Sequence, residues 1–192
     1  EHKQFEALLY AGAARQDKGI THVVDLLKHI NNLGLQIPFK LQNSGNHHGE
    51  YDAATQADMQ RLDKINYPYL QCISETLSAK EYDYQFSGAI CIQLYNPTLF
   101  ADRISGVTLD ALSAGSPIVT TADSWIARMV KRFDAGLVVE NPAPETVLEA
   151  IQKIMADYTH YQRNAVEAGL TLQRENSAAF LFETLIDKNN AE

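Results

Sequence analysis

Positive charge is scarce in this chain. Lys and Arg number 16 against 24 Asp and Glu, a net charge of −8. A nucleic-acid binder normally carries a basic face, so no nucleic acid is expected as a partner, although a local basic pocket is still allowed. Cysteine is scarcer still: only Cys72 and Cys91 occur, far from any paired spacing. That excludes a disulfide scaffold and a zinc site. Both lie in apolar runs and read as small buried hydrophobes, which suits a reducing cytoplasm. No apolar run reaches transmembrane length, and no signal-peptide pattern opens the chain. There is no GxGxxG and no Walker A lysine motif, so neither a dinucleotide nor a P-loop nucleotide is indicated. Internal repeats and low-complexity tracts are also missing. His47, His48 and Glu50 are adjacent in the most loop-like segment, 43–52. Neighbours of that kind ligate one ion poorly, so they read as a solvated loop, and no metal is expected. The chain starts at Glu1, not Met, and is expected to be a piece of something longer.

What is present is an alternation. Apolar, β-branched runs at 7–12, 37–45, 67–74, 88–95, 117–121 and 135–140 read as strands. Between them lie helical patterns. Ile20, Val23, Val24, Leu27, Ile30 and Leu33 share one helical stripe that Gly34 stops. A weaker helix covers 51–65. A short one covers 78–86, with Ser78 and Glu81 spaced as a capping box. Val147, Leu148, Ile151, Ile154 and Met155 mark an amphipathic helix, and the tail, 158–192, reads as mostly helical. Continuous rather than alternating apolar strands mean that both sheet faces are covered. The expected fold is α/β: an open parallel sheet of about six strands with right-handed crossovers, helices on both faces and C-terminal helices. Ligands of such sheets bind beyond the carboxyl ends of the strands, where strand order reverses.

Two segments should meet at that edge. The first, ADRISGVTLDALSAGSPIVTT (101–121), supplies a loop, a helix opening at Ser105 or Gly106, and a strand. The first amides of a helix have no intrahelical acceptor and, with the dipole, favour an anion. Asp102 sits before the helix and Asp110 one turn into it, where a carboxylate can accept from hydroxyls. The bland reading of Asp110 is a charge that offsets the dipole, worth about 0.3–1 kcal/mol. The second segment, AGAARQDKGI (11–20), carries Arg15 and Lys18 from the first strand into the first helix. Lys18 there can neutralise a phosphate as a point charge; its bland reading is a solvated turn. Tyr67, Tyr69, Tyr82 and Tyr84 read as packing groups, and Trp125 as a core residue on a short helix at the same edge.

The pattern acid, seven residues, acid, Ala-x-x-x-Gly-x-Pro, here D-RISGVTL-D-ALSAG-SP, resembles the nucleotide-sugar site of retaining group 1 (GT4-like) glycosyltransferases of the GT-B fold. Gly12 to Gly19, G-AARQD-KG, resembles that family's Gly-Arg-x-x-x-x-Lys-Gly, and DAGLVVENPAPETVLEAIQKIM resembles its later Gly-hydrophobic-Val stretch. The resemblance spans about 7–157 and implies that 1–192 is a single Rossmann-like donor-binding domain, with an N-terminal Rossmann-like domain missing. It implies that Asp110 takes the ribose hydroxyls, that Asp102 is catalytic against the transferred sugar, and that Ser105, Gly106 and Val107 turn amides toward sugar or phosphate. Gly12 and Lys18 would line the diphosphate, with Arg15 reaching the same phosphates. The donor is a nucleotide diphosphate sugar, the acceptor a sugar, lipid or protein, and no cofactor or metal is implied. A cytoplasmic location follows, peripheral at the inner membrane through the missing domain, in a pathway such as polysaccharide biosynthesis. Two departures stand out: both family glutamates are aspartates, and the motif arginine is Ala13. They set the alternatives of a non-catalytic interaction domain with a degenerate nucleotide site, or another nucleotide-sugar enzyme such as an epimerase.

Overall fold

A computed structural model of the chain describes residues 4–43 and 51–189. His47, His48 and Glu50 therefore lie outside the described residues. Every expected strand forms: β1 (Ala7–Tyr10), β2 (Phe39–Gln42), β3 (Leu70–Ile73), β4 (Ala89–Gln93), β5 (Ile118–Thr121) and β6 (Gly136–Val139). They make one parallel sheet in the order β3-β2-β1-β4-β5-β6. Leu8 pairs with Phe39 on one side and Ile90 on the other. After β1 the chain crosses to β2 on one flank; after β4 it crosses to β5 on the other. The reversal falls between β1 and β4, which is where such a sheet opens a crevice.

The strands bury both faces because their side chains alternate between two cores. Leu8, Tyr10, Ile90 and Ile92 join the apolar stripes of α1 (Ile20–Asn32) and α6 (Pro144–Ala156). Leu9, Ala89 and Cys91 face α4 (Gly106–Ser113), α5 (Trp125–Phe133) and α7 (Tyr158–Glu175) on the opposite side. Two further helices, α2 (Ala53–Leu62) and α3 (Ala79–Gln85), complete the layers, and Ser78 and Glu81 form the expected capping box. Tyr158 and Gly169 lie within the packed body, whereas the side chains described on α8 (Ala178–Asn189) are exposed.

Two expectations fail at the sheet edge. Cys72 is exposed rather than buried. β3 has a neighbour on one side only, and its middle residues Gln71 and Cys72 face solvent. Tyr84 is 65% exposed and does not pack; its ring lies 5.8 Å from the Lys40 ammonium. Tyr67, by contrast, is buried, and its hydroxyl donates to the Ile37 carbonyl at 2.7 Å while accepting from the Ile37 amide at 2.8 Å.

Candidate functional site at the β1–β4 reversal

The loop after β1 is drawn tightly over the end of β4. Gly12 has φ +91° and Gly19 φ +74°, conformations that side chains other than glycine's rarely adopt. A Cβ on Gly19 would lie 2.0 Å from the Leu94 carbonyl oxygen, so only glycine lets the two loops approach. The Asn96 amide donates to the Asp17 carbonyl at 2.9 Å and closes the seam. A single 3-10 turn, Gln16–Lys18, lies inside this loop. Asp58 of α2 holds it from below, accepting from Gln16 and Thr21 and from Arg61. Burial raises the Asp58 carboxyl pKa, but those three donors outweigh it and hold the group below the usual range.

The turn delivers Lys18 to the start of α4. A Cβ on Gly12 would lie 2.9 Å from the Lys18 Nζ and 3.5 Å from Val107 Cγ2. Gly12, Lys18 and Val107 thus surround one point. Lys18 is half-buried, with its ammonium 5.8 Å from the centre of the Tyr95 ring. Burial lowers its pKa, the neighbouring Arg15 and Arg103 lower it further, and Asp17 opposes them. The α4 start is capped by Ser105, whose hydroxyl accepts from the Thr108 amide at 3.4 Å. Thr108 and Leu109 make the first helical bonds, both to the Ser105 carbonyl. The Gly106 and Val107 amides precede those bonds and have no acceptor within the helix. The helix is braced from beneath by Thr108, whose hydroxyl donates to Gln93 Oε1 at 2.7 Å.

Asp110 lies one turn beyond Val107, on the helical face that Val107 begins. As the fifth residue of the helix it lies past the first turn, where the dipole effect is concentrated, so offsetting the dipole does not account for it. It is exposed and accepts from the Tyr82 hydroxyl of α3 at 3.0 Å. Burial, then the Asp110 charge, raise the Tyr82 phenol pKa well above its ordinary value. Asp102 stands apart on the loop before α4. Its side chain is 93% exposed and ion-paired with Arg128 of α5 at 2.9 Å. Arg15 is turned onto Asp17, with Nε at 2.8 Å and a terminal nitrogen at 2.5 Å from its carboxylate. A cavity of about 200 Å³ opens at the ends of β4 to β6, lined by residues including His22, Tyr95, Asp123 and Glu140. Lys18 and Asp110 are not among the residues that line it.

Residues 1–170 match the family description for glycosyl transferases group 1. The chain belongs to that family. Solved structures of similar fold include the sucrose-phosphate synthase of Thermosynechococcus elongatus, at TM-score 0.72 and 19% identity, covering 97% of this chain and 46% of that one. The glycosyltransferase WaaG, involved in lipopolysaccharide biosynthesis, gives 0.63 at 18% identity, covering 88% of this chain and 44% of its own. Anabaena HepE, solved in complex with UDP, gives 0.67 at 12% identity, with 98% and 50% covered. This group 1 chain therefore spans about half the length of those structures. A comparison with curated protein sequences returns no match. Among the described residues, no helix is long and apolar enough to cross a membrane.

Of the residues expected at the site, this group 1 fold brings Gly12, Lys18 and Val107 together, with Ser105 and Gly106 at the same helix start and Asp110 further along the face. Asp102 and Arg15 are held by other partners. Sequence reasoning missed Asp17, Tyr82 and Arg103. Arg103 follows Asp102 in the loop, lies 3.8 Å from the Asp17 carboxylate and stacks 4.9 Å from the centre of the Phe100 ring. The signal was legible for Asp17 alone, an acid lodged between Arg15 and Lys18.

Proposed function

We propose that this chain is the donor-binding half of a retaining, metal-independent glycosyltransferase that takes a nucleoside diphosphate sugar, a hexose donor being one candidate, as its substrate. The observation that carries the reading is the convergence of Lys18, Gly12 and the first turn of α4 at one point of the β1–β4 reversal. In the reaction, the bond from the sugar C1 to the diphosphate oxygen breaks and a bond from C1 to an acceptor hydroxyl forms. The hydroxyl proton leaves with the diphosphate. The chemistry therefore asks for positive charge and donors at the leaving group. Lys18 supplies charge, and the Gly106 and Val107 amides supply donors. Asp110 takes ribose hydroxyls in place of the Tyr82 phenol, and Asp102, released from Arg128, meets the transferred sugar. The acceptor enters from a second Rossmann-like domain across a cleft, and that domain carries any peripheral membrane contact of a cytoplasmic enzyme. HepE, a structural neighbour solved with UDP, supports a nucleoside diphosphate as the ligand class.

The test is calorimetry of this chain with UDP, ADP and GDP at millimolar concentration. At least one binds weakly, and Lys18→Ala and Asp110→Ala each lower its affinity by about tenfold, the loss of one charge-assisted hydrogen bond. No binding of any of the three, or binding indifferent to both changes, overturns the reading. The chain alone transfers no sugar. A second reading, an interaction domain with a degenerate site, is favoured by one group of contacts: Arg15, Asp102 and Asp110 all bond other side chains. A donor panel offered to a chain completed by an upstream α/β domain separates the two.

A further inference from the structure

Position 13, where the resembled family carries an arginine, is Ala13, and Arg15, two residues on, is turned onto Asp17. One edge of its guanidinium, Nε and a terminal nitrogen, is engaged bidentately by Asp17, which neutralises its charge. A second guanidinium reaches the same place from the other side of the crevice. Arg103 approaches Asp17 at only 3.8 Å, through one nitrogen, and keeps 57% of its side chain exposed. Its donors are largely uncommitted. Its position is fixed by stacking rather than by ion pairing: Arg103 lies over Phe100, Phe100 packs on Tyr95 with ring centres 4.7 Å apart, and Lys18 stands over Tyr95. Two cations therefore bracket a buried aromatic pair beneath the two loops. Arg15 and Arg103 both approach a single carboxylate, Asp17, and the Lys18 ammonium lies within the electrostatic reach of all three, in a chain that is acidic overall. Cations assembled beyond their internal counter-charge are a place for an external anion.

We infer that Arg103, carried on the loop between β4 and α4, is the guanidinium that clamps the donor diphosphate opposite Lys18, in place of the arginine absent at position 13. The inference rests on the donor-binding reading. Guanidinium geometry suits two phosphate oxygens at once, and the stack on Phe100 pre-orders the side chain, so less freedom is lost on binding. Asp17 keeps Arg15 neutralised and leaves the clamp to the other two.

The experiment is calorimetry of this chain with whichever of UDP, ADP and GDP binds, run on wild type, Arg103→Ala, Arg103→Lys, Arg15→Ala, Lys18→Ala and the remote surface change Arg174→Ala. Circular dichroism melts check that each variant is folded. Arg103→Ala is expected to lower affinity by about tenfold, and more than Arg15→Ala does. Arg103→Lys is expected to restore part of the loss, and Arg174→Ala to cost nothing comparable. A loss in Arg103→Ala no larger than that in Arg174→Ala or Arg15→Ala overturns the inference. If Lys18→Ala still loses affinity in that case, the donor site stands and only Arg103 falls. Absence of diphosphate binding in the wild type overturns both. Should Arg103→Ala fail to fold, Arg103→Lys decides: an affinity equal to wild type shows that no guanidinium geometry is used and overturns the clamp.

Discussion

Lys18 carries its charge where the surroundings resist it. Burial and two neighbouring guanidiniums lower its pKa, and one carboxylate only partly offsets them. For a lysine with a depressed folded-state pKa, the unfolded chain holds more protons between the folded and unfolded values. Stability therefore rises with pH through that window: the cost of the buried charge is present below the folded pKa and gone above the unfolded one. Diphosphate binding has the opposite sense, because an anion favours the charged ammonium. Affinity should fall as pH rises through the lowered lysine value, at a pH below that of an ordinary lysine. In Lys18→Arg the charge no longer titrates, and the alkaline fall disappears. Calorimetric titrations of the nucleoside diphosphate on the alkaline side, wild type against Lys18→Arg, check this. A parallel fall in both proteins removes Lys18 from the account. At this scale the sequence was partly legible. Lys18 could be placed because its spacing from β1 puts it at the sheet's carboxyl edge. The engagement of Arg15 by Asp17 and the approach of Arg103 could not. They depend on the loop after β4 folding back over the loop after β1, a contact set by Gly19 and Leu94 rather than by local pattern.

Helix α4 is the element on which the site depends, and it is fixed from three directions. Ser105 caps its start, Gln93 bonds Thr108 beneath it, and α7 presses on its far end. The last contact is close. A Cβ on Gly169 would meet the Leu112 carbonyl oxygen at 2.7 Å and the Ser113 Cα at 2.8 Å, both backbone atoms that cannot step aside. Gly169→Ala must therefore push the two helices apart. We expect a loss of about 1–3 kcal/mol in denaturant unfolding, the usual cost of overpacking. We also expect weaker diphosphate binding, although Gly169 touches only the last turn of α4 and Val107 stands in its first. A destabilised variant with unchanged affinity shows that the helix start is held by Ser105 and Gln93 alone. The existence of α4 was plain in the sequence from Ser105 at one end and Gly115, now found at φ +75°, at the other. Its distance from α7 was not, because a glycine inside a helix reads only as a weak position until its neighbour is known. β3 shows the same limit: its apolar run marked a strand correctly, but edge position is a property of the whole sheet, and Cys72 was placed inside for want of it.

Across the whole molecule, cohesion is uneven along the chain. Two cores lie on either side of the sheet, and α7 closes one of them with Ala165, Ala168 and Leu172 buried. Beyond Asn176 the pattern changes. Phe180, Leu181, Phe182 and Ile186 of α8 are all exposed, between 42% and 65%. Described apolar side chains that bury so little contribute little to the folded state, because hydrophobic stabilisation scales with the area removed from water. Tolerance to truncation follows from burial and hydrogen bonding, not from position in the chain. Removing residues 178–192 should leave the melting temperature within about 3 °C of the parent, where 1 kcal/mol corresponds to roughly 2–4 °C for a domain of this size. Nucleoside diphosphate affinity should be unchanged, because Lys18, Arg103 and α4 are held by β1, β4 and α7. Exposed apolar surface of this kind also promotes association, so the shortened chain should run as a smaller or more uniform species in light scattering. Scanning calorimetry and light scattering on the two lengths decide the matter. A large fall in melting temperature means that α8 is part of the cooperative unit despite its exposure, and that the folded body extends past α7.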